Sequence, residues 1–372
     1  MNKEELYEAI AEQKVEMTPG ERMAAYMQGE EVDCIPHSVL SAEDAMGVAW
    51  GFNKLDLYND PSVRAAQLKK QFEKYGEAAI PMGMNLRDLG VALGSEEVVS
   101  PKDENHIGER FLTDYSKLSV MEEFDVSTNE WVQKKFQFGR EVKKILPDLP
   151  MAGGITGPIS AVVAMRPIEL ILRETRKCPE QVHRMLDLTV ECNLKYIKAC
   201  FEEFGIASWF IADPVTTTDI LGPKQYQEFS KPYQKKLFDG IYEITGQIPG
   251  THICGHTKGI WKDLADIGFK TFSVDNCESM SEFREMVGDK MFLMGNVSPV
   301  DIMHNGTIDD VIEGVKDSLR NGATNPCGYM LNTGCQVVMG TPEENIDAFY
   351  YAARKYGAGA QIGKMPRGMA GE

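Results

Sequence analysis

A (β/α)8 TIM barrel is the fold class this sequence predicts: a single α/β domain over residues 1–372, with an N-terminal helical extension and an insertion after the second strand. Three observations predict it. Eight short runs read as strands, segments of helical periodicity lie between most of them, and polar residues stand at the C-terminal ends of several. A doubly wound open sheet shares the first two features and is the main rival, because strand order is not legible in a sequence.

The elements follow in order. The stretch MNKEELYEAIAEQ reads as a charged amphipathic helix and not as a signal peptide. Thr18-Pro19-Gly20-Glu21 fits a capping box with proline at the first helical position, so a helix precedes the first strand. The predicted strands are Ile35–Leu40, Ala79–Gly83, Pro150–Ile155, Ile206–Ala212, Ile248–Cys254, Lys270–Asp275, Met291–Asn296 and Gly328–Thr333. Helical periodicity marks Pro179–Glu203, Lys224–Thr245, Lys258–Asp266 and Thr307–Arg320. Residues from about 84 to 147 are more than one crossover needs. They hold two short predicted strands, Glu96–Ser100 and Gly108–Thr113, around Pro101-Lys102-Asp103, and are expected to lie over the barrel mouth. Thr341-Pro342-Glu343-Glu344 predicts a second capping box, starting a helix that ends near Lys355.

Composition narrows the function classes. With 39 basic and 56 acidic residues the net charge is −17, which argues against nucleic acid or an anionic membrane as the main partner. No apolar run approaches membrane-spanning length, and eight cysteines without secretory context suggest reduced thiols and a cytoplasmic protein. Cys192 and Cys200 fall in a helical stretch, where a buried apolar thiol is the default.

The most informative feature is His252-Ile253-Cys254, which closes the fifth predicted strand. Residues two apart in a strand share a face, so an imidazole and a thiolate can aim at one point. Cys335, just past the eighth predicted strand, can complete a three-ligand soft site, and three protein ligands leave a tetrahedral zinc one open position. Catalytic residues of such barrels sit at this end of the strands. Gly334 and Gly255 would allow close backbone approach there. Two buried thiols and a satisfied core histidine are the bland alternative.

Other residues gather at strand ends. Asp213 follows the fourth predicted strand, Asp275 closes the sixth and Asn296 the seventh; Asp213 and Asn296 are the candidate catalytic residues. Asp275, His37 and His256 are candidate pocket residues, although Asp275 could instead cap the next helix and His37 could pack in the core. His256 shares the parity of His252 and Cys254, but Gly255 breaks the strand before it, which leaves open whether it is a fourth ligand. Trp50, Phe52 and Trp209 are possible walls for an aromatic substrate, with ordinary core as the alternative.

Taken together these segments resemble the uroporphyrinogen decarboxylase superfamily over nearly the whole chain. The likeness runs through Glu21-Arg22-Met23, Gly29 to Pro36, Gly157-Pro158-Ile159, Ala212-Asp213-Pro214, Gly295 to Pro299 and Thr341 to Ile346. His252-x-Cys254 with the remote Cys335 is similar to the zinc motif of the corrinoid-dependent methyltransferase branch. The resemblance implies a zinc enzyme that moves a methyl group between a small methylated substrate and the cobalt of a corrinoid (cobalamin) protein. O-demethylation of a methoxylated aromatic compound is the favoured expectation. The alternatives are methyl transfer to a coenzyme M-like thiol, decarboxylation of a uroporphyrinogen type, and a non-catalytic zinc-binding barrel subunit. Decarboxylases of the superfamily hold substrate carboxylates with an arginine-rich segment near the N-terminus. The corresponding stretch here, Pro36 to Asp44, has no arginine. No Asp-x-His-x-x-Gly run occurs, so the corrinoid is expected on a separate partner protein.

Overall fold

The computed structural model describes residues 1–40, 43–100 and 105–371. Its strands are β1 (Val32–Cys34), β2 (Ile80–Pro81), β3 (Glu97–Val98), β4 (His106–Ile107), β5 (Met151–Thr156), β6 (Trp209–Ala212), β7 (Gly250–Ile253), β8 (Thr271–Val274), β9 (Phe292–Val297), β10 (Tyr329–Thr333) and β11 (Ala358–Ala360). The chain forms two compact units: Met1–Asn59, Ala66–Ala78 and Lys270–Glu372, and Asp60–Ala65 with Ala79–Phe269. No helix among the described residues is long and apolar enough to cross a membrane.

In the unit that holds both chain ends, β8, β9 and β10 pair in parallel, in register Thr271↔Phe292 and Tyr329↔Leu293. A helix, Ile308–Gly322, crosses from β9 to β10, and Thr307 caps it in a box with Asp310. The predicted first strand, Ile35–Leu40, does not form as a strand, and β1 lies just before it. Val32–Cys34 pairs antiparallel with Ala358–Ala360, and beyond it only a parallel bridge, His37↔Leu331, joins β10. Pro36 lies at the break. It has no N–H to give a ladder, though its carbonyl accepts from Leu331 N at 2.9 Å. Thr18 and Glu21 form the predicted capping box. The second predicted box does not form: Thr341 Oγ1 donates back to the Val338 carbonyl at 2.8 Å, and the helix Glu343–Tyr356 starts after Pro342 without a side-chain cap. That helix buries Ile346, Phe349, Tyr350 and Ala353.

In the other unit, β2, β5, β6 and β7 pair in parallel in that order. Pro81 does not interrupt the pairing, since Ile80 N, Met82 N and Met84 N are the donors to the β5 side, and Met84↔Ile155 adds an isolated bridge. The predicted strand Glu96–Ser100 contains β3, which pairs antiparallel with β4 in register Glu97↔Ile107 and Val98↔His106, whereas the predicted Gly108–Thr113 forms no strand. β4 precedes the predicted Gly108–Thr113, and Pro101, Lys102 and Asp103 lie outside the described residues. The helix Pro179–Phe204 covers the β5–β6 crossover and buries Cys192 and Cys200. Burial pushes both thiols up to about 12, so they stay protonated and make poor metal ligands.

Candidate metal centre

β7 and the residue after it carry the candidate ligand pair, His252 and Cys254. The register of β7 against β6 places Ala212 opposite His252, so both strands end at the same level. Strand alternation then puts His252 and Cys254 on one face. His252 is buried, Cys254 half-buried, and His252 Nε2 lies 3.2 Å from Cys254 Sγ. Both donors therefore reach a common point without rearrangement. Gly255, two residues past β7, has φ +75°, a left-handed conformation that a side chain disfavours. His256 is turned away into solvent: its side chain is 61% exposed, and Nδ1 lies 2.9 Å from Asp219 Oδ1.

Asp213, at the end of β6, is fully buried. Its Oδ1 accepts from Ser160 Oγ at 2.6 Å and Ser160 N at 3.2 Å; its Oδ2 accepts from Thr216 Oγ1 at 2.9 Å and Gln234 Nε2 at 3.1 Å. Burial pushes this carboxyl above the usual range, against the pull of the Ser160, Thr216 and Gln234 donors. These hydrogen bonds tie the segments after β5 and β6 together. Trp209 is core: its indole N–H donates to the Ile206 carbonyl at 3.0 Å.

In the unit with both chain ends, Cys335 stands two residues past β10 and is half-buried. Gly334 N donates to the Val297 carbonyl at 2.8 Å, which carries the β9–β10 ladder up to the ligand. A Cβ on Gly334 would sit 2.4 Å from Asn276 N and 2.9 Å from its Cα. Backbone cannot yield as a flexible side chain can. Gly334→Ala is therefore expected to cost about 1–3 kcal/mol by overpacking and to weaken metal retention. Thermal melts and zinc content on one preparation check this, and a variant with wild-type values of both would refute it.

The other candidates in this unit make the following contacts. Asn296 Nδ2 donates to the carbonyls of Asp275 at 3.1 Å and Glu278 at 3.0 Å, and Asp275 Oδ1 accepts from Cys277 N at 3.2 Å. His37 lies edge-on against Tyr350 of the last helix, 5.6 Å between ring centres, with Nδ1 2.7 Å from the Ile35 carbonyl. Burial holds its imidazole down at about 3, so it stays neutral. Trp50 stacks on Tyr75 at 6.2 Å.

The donor set suits zinc. His252 and Cys254 offer an imidazole and a thiolate in one unit, and Cys335 offers a second thiolate in the other. One imidazole and two thiolates match the soft preference of zinc, and no other such group of His, Cys, Asp or Glu occurs among the described residues. Thr217, Thr218 and Asp219, which hold the backbone after Cys254, were not legible as functional in the sequence. A run of three threonines and an aspartate after a strand reads as ordinary loop.

Several known proteins are similar to this chain. The chain is 26% identical over 351 residues to methylcobamide:CoM methyltransferase MtaA of Methanosarcina barkeri (strain Fusaro / DSM 804), across 92% of this chain and 99% of that protein. It is 30% identical over 210 residues to methylcobamide:CoM methyltransferase MtbA of Methanosarcina acetivorans, covering 56% and 59%. Uroporphyrinogen decarboxylase 2, chloroplastic, of Oryza sativa subsp. japonica matches at 28% over 176 residues, 47% of this chain and 43% of that one. A solved methyltransferase from Methanosarcina mazei superposes with TM-score 0.74 at 24% identity, covering 92% and 99%. That likeness shows the fold, the barrel class predicted from strand–helix alternation. Residues 18–356 match the pattern named Uroporphyrinogen decarboxylase (URO-D), and the chain therefore belongs to that family.

Proposed function

We propose that this chain is a corrinoid-dependent methyltransferase that moves a methyl group from a methylated corrinoid, carried by a separate protein, to a small thiol. The observation that carries the reading is the His252–Cys254 pair, 3.2 Å apart, together with Cys335 as the third soft donor. Two thiolates and a neutral imidazole balance a divalent ion and leave the fourth position of a tetrahedron for an acceptor. Zinc held there supplies a Lewis acid that favours the thiolate form of that acceptor near neutral pH. In the net reaction a carbon–sulfur bond forms and a carbon–cobalt bond breaks. The electron pair stays with cobalt, and the thiol proton passes to solvent.

The names of the relatives favour this direction. MtaA and MtbA are both methylcobamide:CoM methyltransferases, and a further relative from Methanosarcina mazei, 26% identical over 211 residues, is a methylated-thiol–coenzyme M methyltransferase. Demethylation of a methoxylated aromatic compound, the direction favoured from sequence, would use the same ligands in reverse. None of these names supports it, and the thiol acceptor replaces it as the preferred reading. Uroporphyrinogen-type decarboxylation is disfavoured by chemistry, since Pro36 to Asp44 holds no arginine for a polycarboxylate.

The test is metal content of the purified chain and of its His252→Ala/Cys335→Ala variant, with methyl transfer from methylcobalamin to thiols assayed on the same samples. About one zinc per chain, lost together with activity in the variant, is the expected outcome. A folded wild-type protein that resists zinc loading would overturn the proposal.

A further inference from the structure

One loop grips both flanks of the ligand pair. Asp213 N donates to the His252 carbonyl at 3.0 Å, and Thr218 N donates to the His256 carbonyl at 2.9 Å. The hydroxyls of Thr217 and Thr218 reach the same His256 carbonyl at 3.0 and 2.8 Å. Asp219 takes the other side of His256: Oδ2 accepts its backbone N–H at 3.0 Å, and Oδ1 meets ring Nδ1 at 2.9 Å. Asp219 is itself held by Thr217 Oγ1 at 3.1 Å. The base of the loop is fixed in the core by Asp213 and its Ser160, Thr216 and Gln234 donors.

The loop also packs on the turn between the grips. A Cβ on Gly255 would lie 2.7 Å from Asp219 Oδ2 and 2.8 Å from Thr217 Oγ1. Contribution to folding does not explain this arrangement. The Asp219 and His256 side chains are 50% and 61% exposed, and an ion pair so open to solvent adds little to stability. What the contacts do is remove freedom from the backbone of residues 252–256, which carries two of the three soft donors. Outer partners that orient metal ligands typically change affinity by about 10–100-fold.

We infer that Asp219, with Thr217 and Thr218, is a positioning element for the metal ligands: it holds the His252–His256 backbone in the ligating geometry and slows loss of the ion. The inference rests on reading His252 and Cys254 as ligands.

The experiment uses full-length wild type, Asp219→Ala and Asp219→Asn. Asp239→Ala, which removes an exposed carboxylate paired with Lys235, is the control. Zinc release to a chromophoric chelator, the absorption spectrum of the Co(II)-loaded protein and exchange of the His256 amide in metal-free protein are measured. Asp219→Ala should release zinc about 10–100-fold faster, alter the cobalt ligand-field bands and exchange the His256 amide faster. Its melting temperature should stay near that of wild type. Asp219→Asn, which keeps an acceptor for the His256 N–H, should recover part of each effect, and Asp239→Ala should change none. Zinc release at the wild-type rate from Asp219→Ala overturns the inference. A wild-type chain that takes up no zinc overturns the ligand reading beneath it, and the exchange readout, which needs no metal, tells the two failures apart.

Discussion

Cys335→Ala is expected to abolish both zinc retention and methyl transfer while leaving the protein folded. The variant keeps His252 and Cys254 and loses one of two thiolates. Loss of an outer partner alone costs about 10–100-fold in affinity, so loss of a direct ligand should cost more. The fold should survive, because Cys335 is half-buried in a loop and typical substitutions cost about 0.5–3 kcal/mol of a total near 5–15. Cys335→Ser sharpens the test: it nearly preserves shape while replacing a soft thiolate by a hydroxyl that stays protonated, and it should fail in the same way. Cys277→Ala is the control, since that thiol is exposed, lies in the same unit and is not in the ligand group. Zinc content, melting temperature and methyl transfer measured on all three variants decide the matter. Activity retained in Cys335→Ser would remove Cys335 from the site.

How much of this could be read beforehand depended on which interactions are local. The cores of the predicted strands recur: Ile248–Cys254 contains β7 and Lys270–Asp275 contains β8, because apolar runs bounded by proline, glycine or aspartate carry their own signal. The predicted first strand, Ile35–Leu40, was too simple, since Pro36 leaves one residue of it bridged to β10. The closeness of His252 and Cys254 was legible because strand alternation alone puts the two residues on one face. The same rule does not say which face is inward, and so could not place His37, whose ring meets Tyr350. Asp213 was legible as a strand-end acid but not as a tie between two loops. The grip of Thr217, Thr218 and Asp219 on His256 had no signal at all: its partners are 37 to 39 residues apart and meet only because β6 and β7 end level.

The largest effect on folding is expected at a distance from the metal ligands, from Asp33→Ala. Asp33 Oδ1 and Oδ2 accept from Arg22 Nε at 2.7 Å and Nη2 at 2.9 Å, a bidentate pair whose side chains are 9% and 4% exposed. Cys34 N at 2.8 Å and Met17 N at 3.1 Å add backbone donors. Removing the carboxylate leaves a buried guanidinium without its charge partner, a change that costs about 3–5 kcal/mol. Replacing both partners with apolar residues, as in Arg22→Met/Asp33→Leu, should recover much of that loss. Recovery separates an unpaired charge from a simple loss of contacts. Acid should expose the same pair. Burial raises the Asp33 carboxyl, but Arg22 and the backbone donors outweigh it and hold it down at about 2. A group depressed in the folded state binds fewer protons there than in the unfolded chain, where its value is about 3.9. Its contribution is therefore complete above about pH 4 and is lost as pH falls through about 2, on the order of 2–3 kcal/mol in all. Wild-type stability should fall more steeply than that of the double variant across this window in urea titrations. Parallel slopes would mean that the Arg22–Asp33 pair is not the acid-sensitive element.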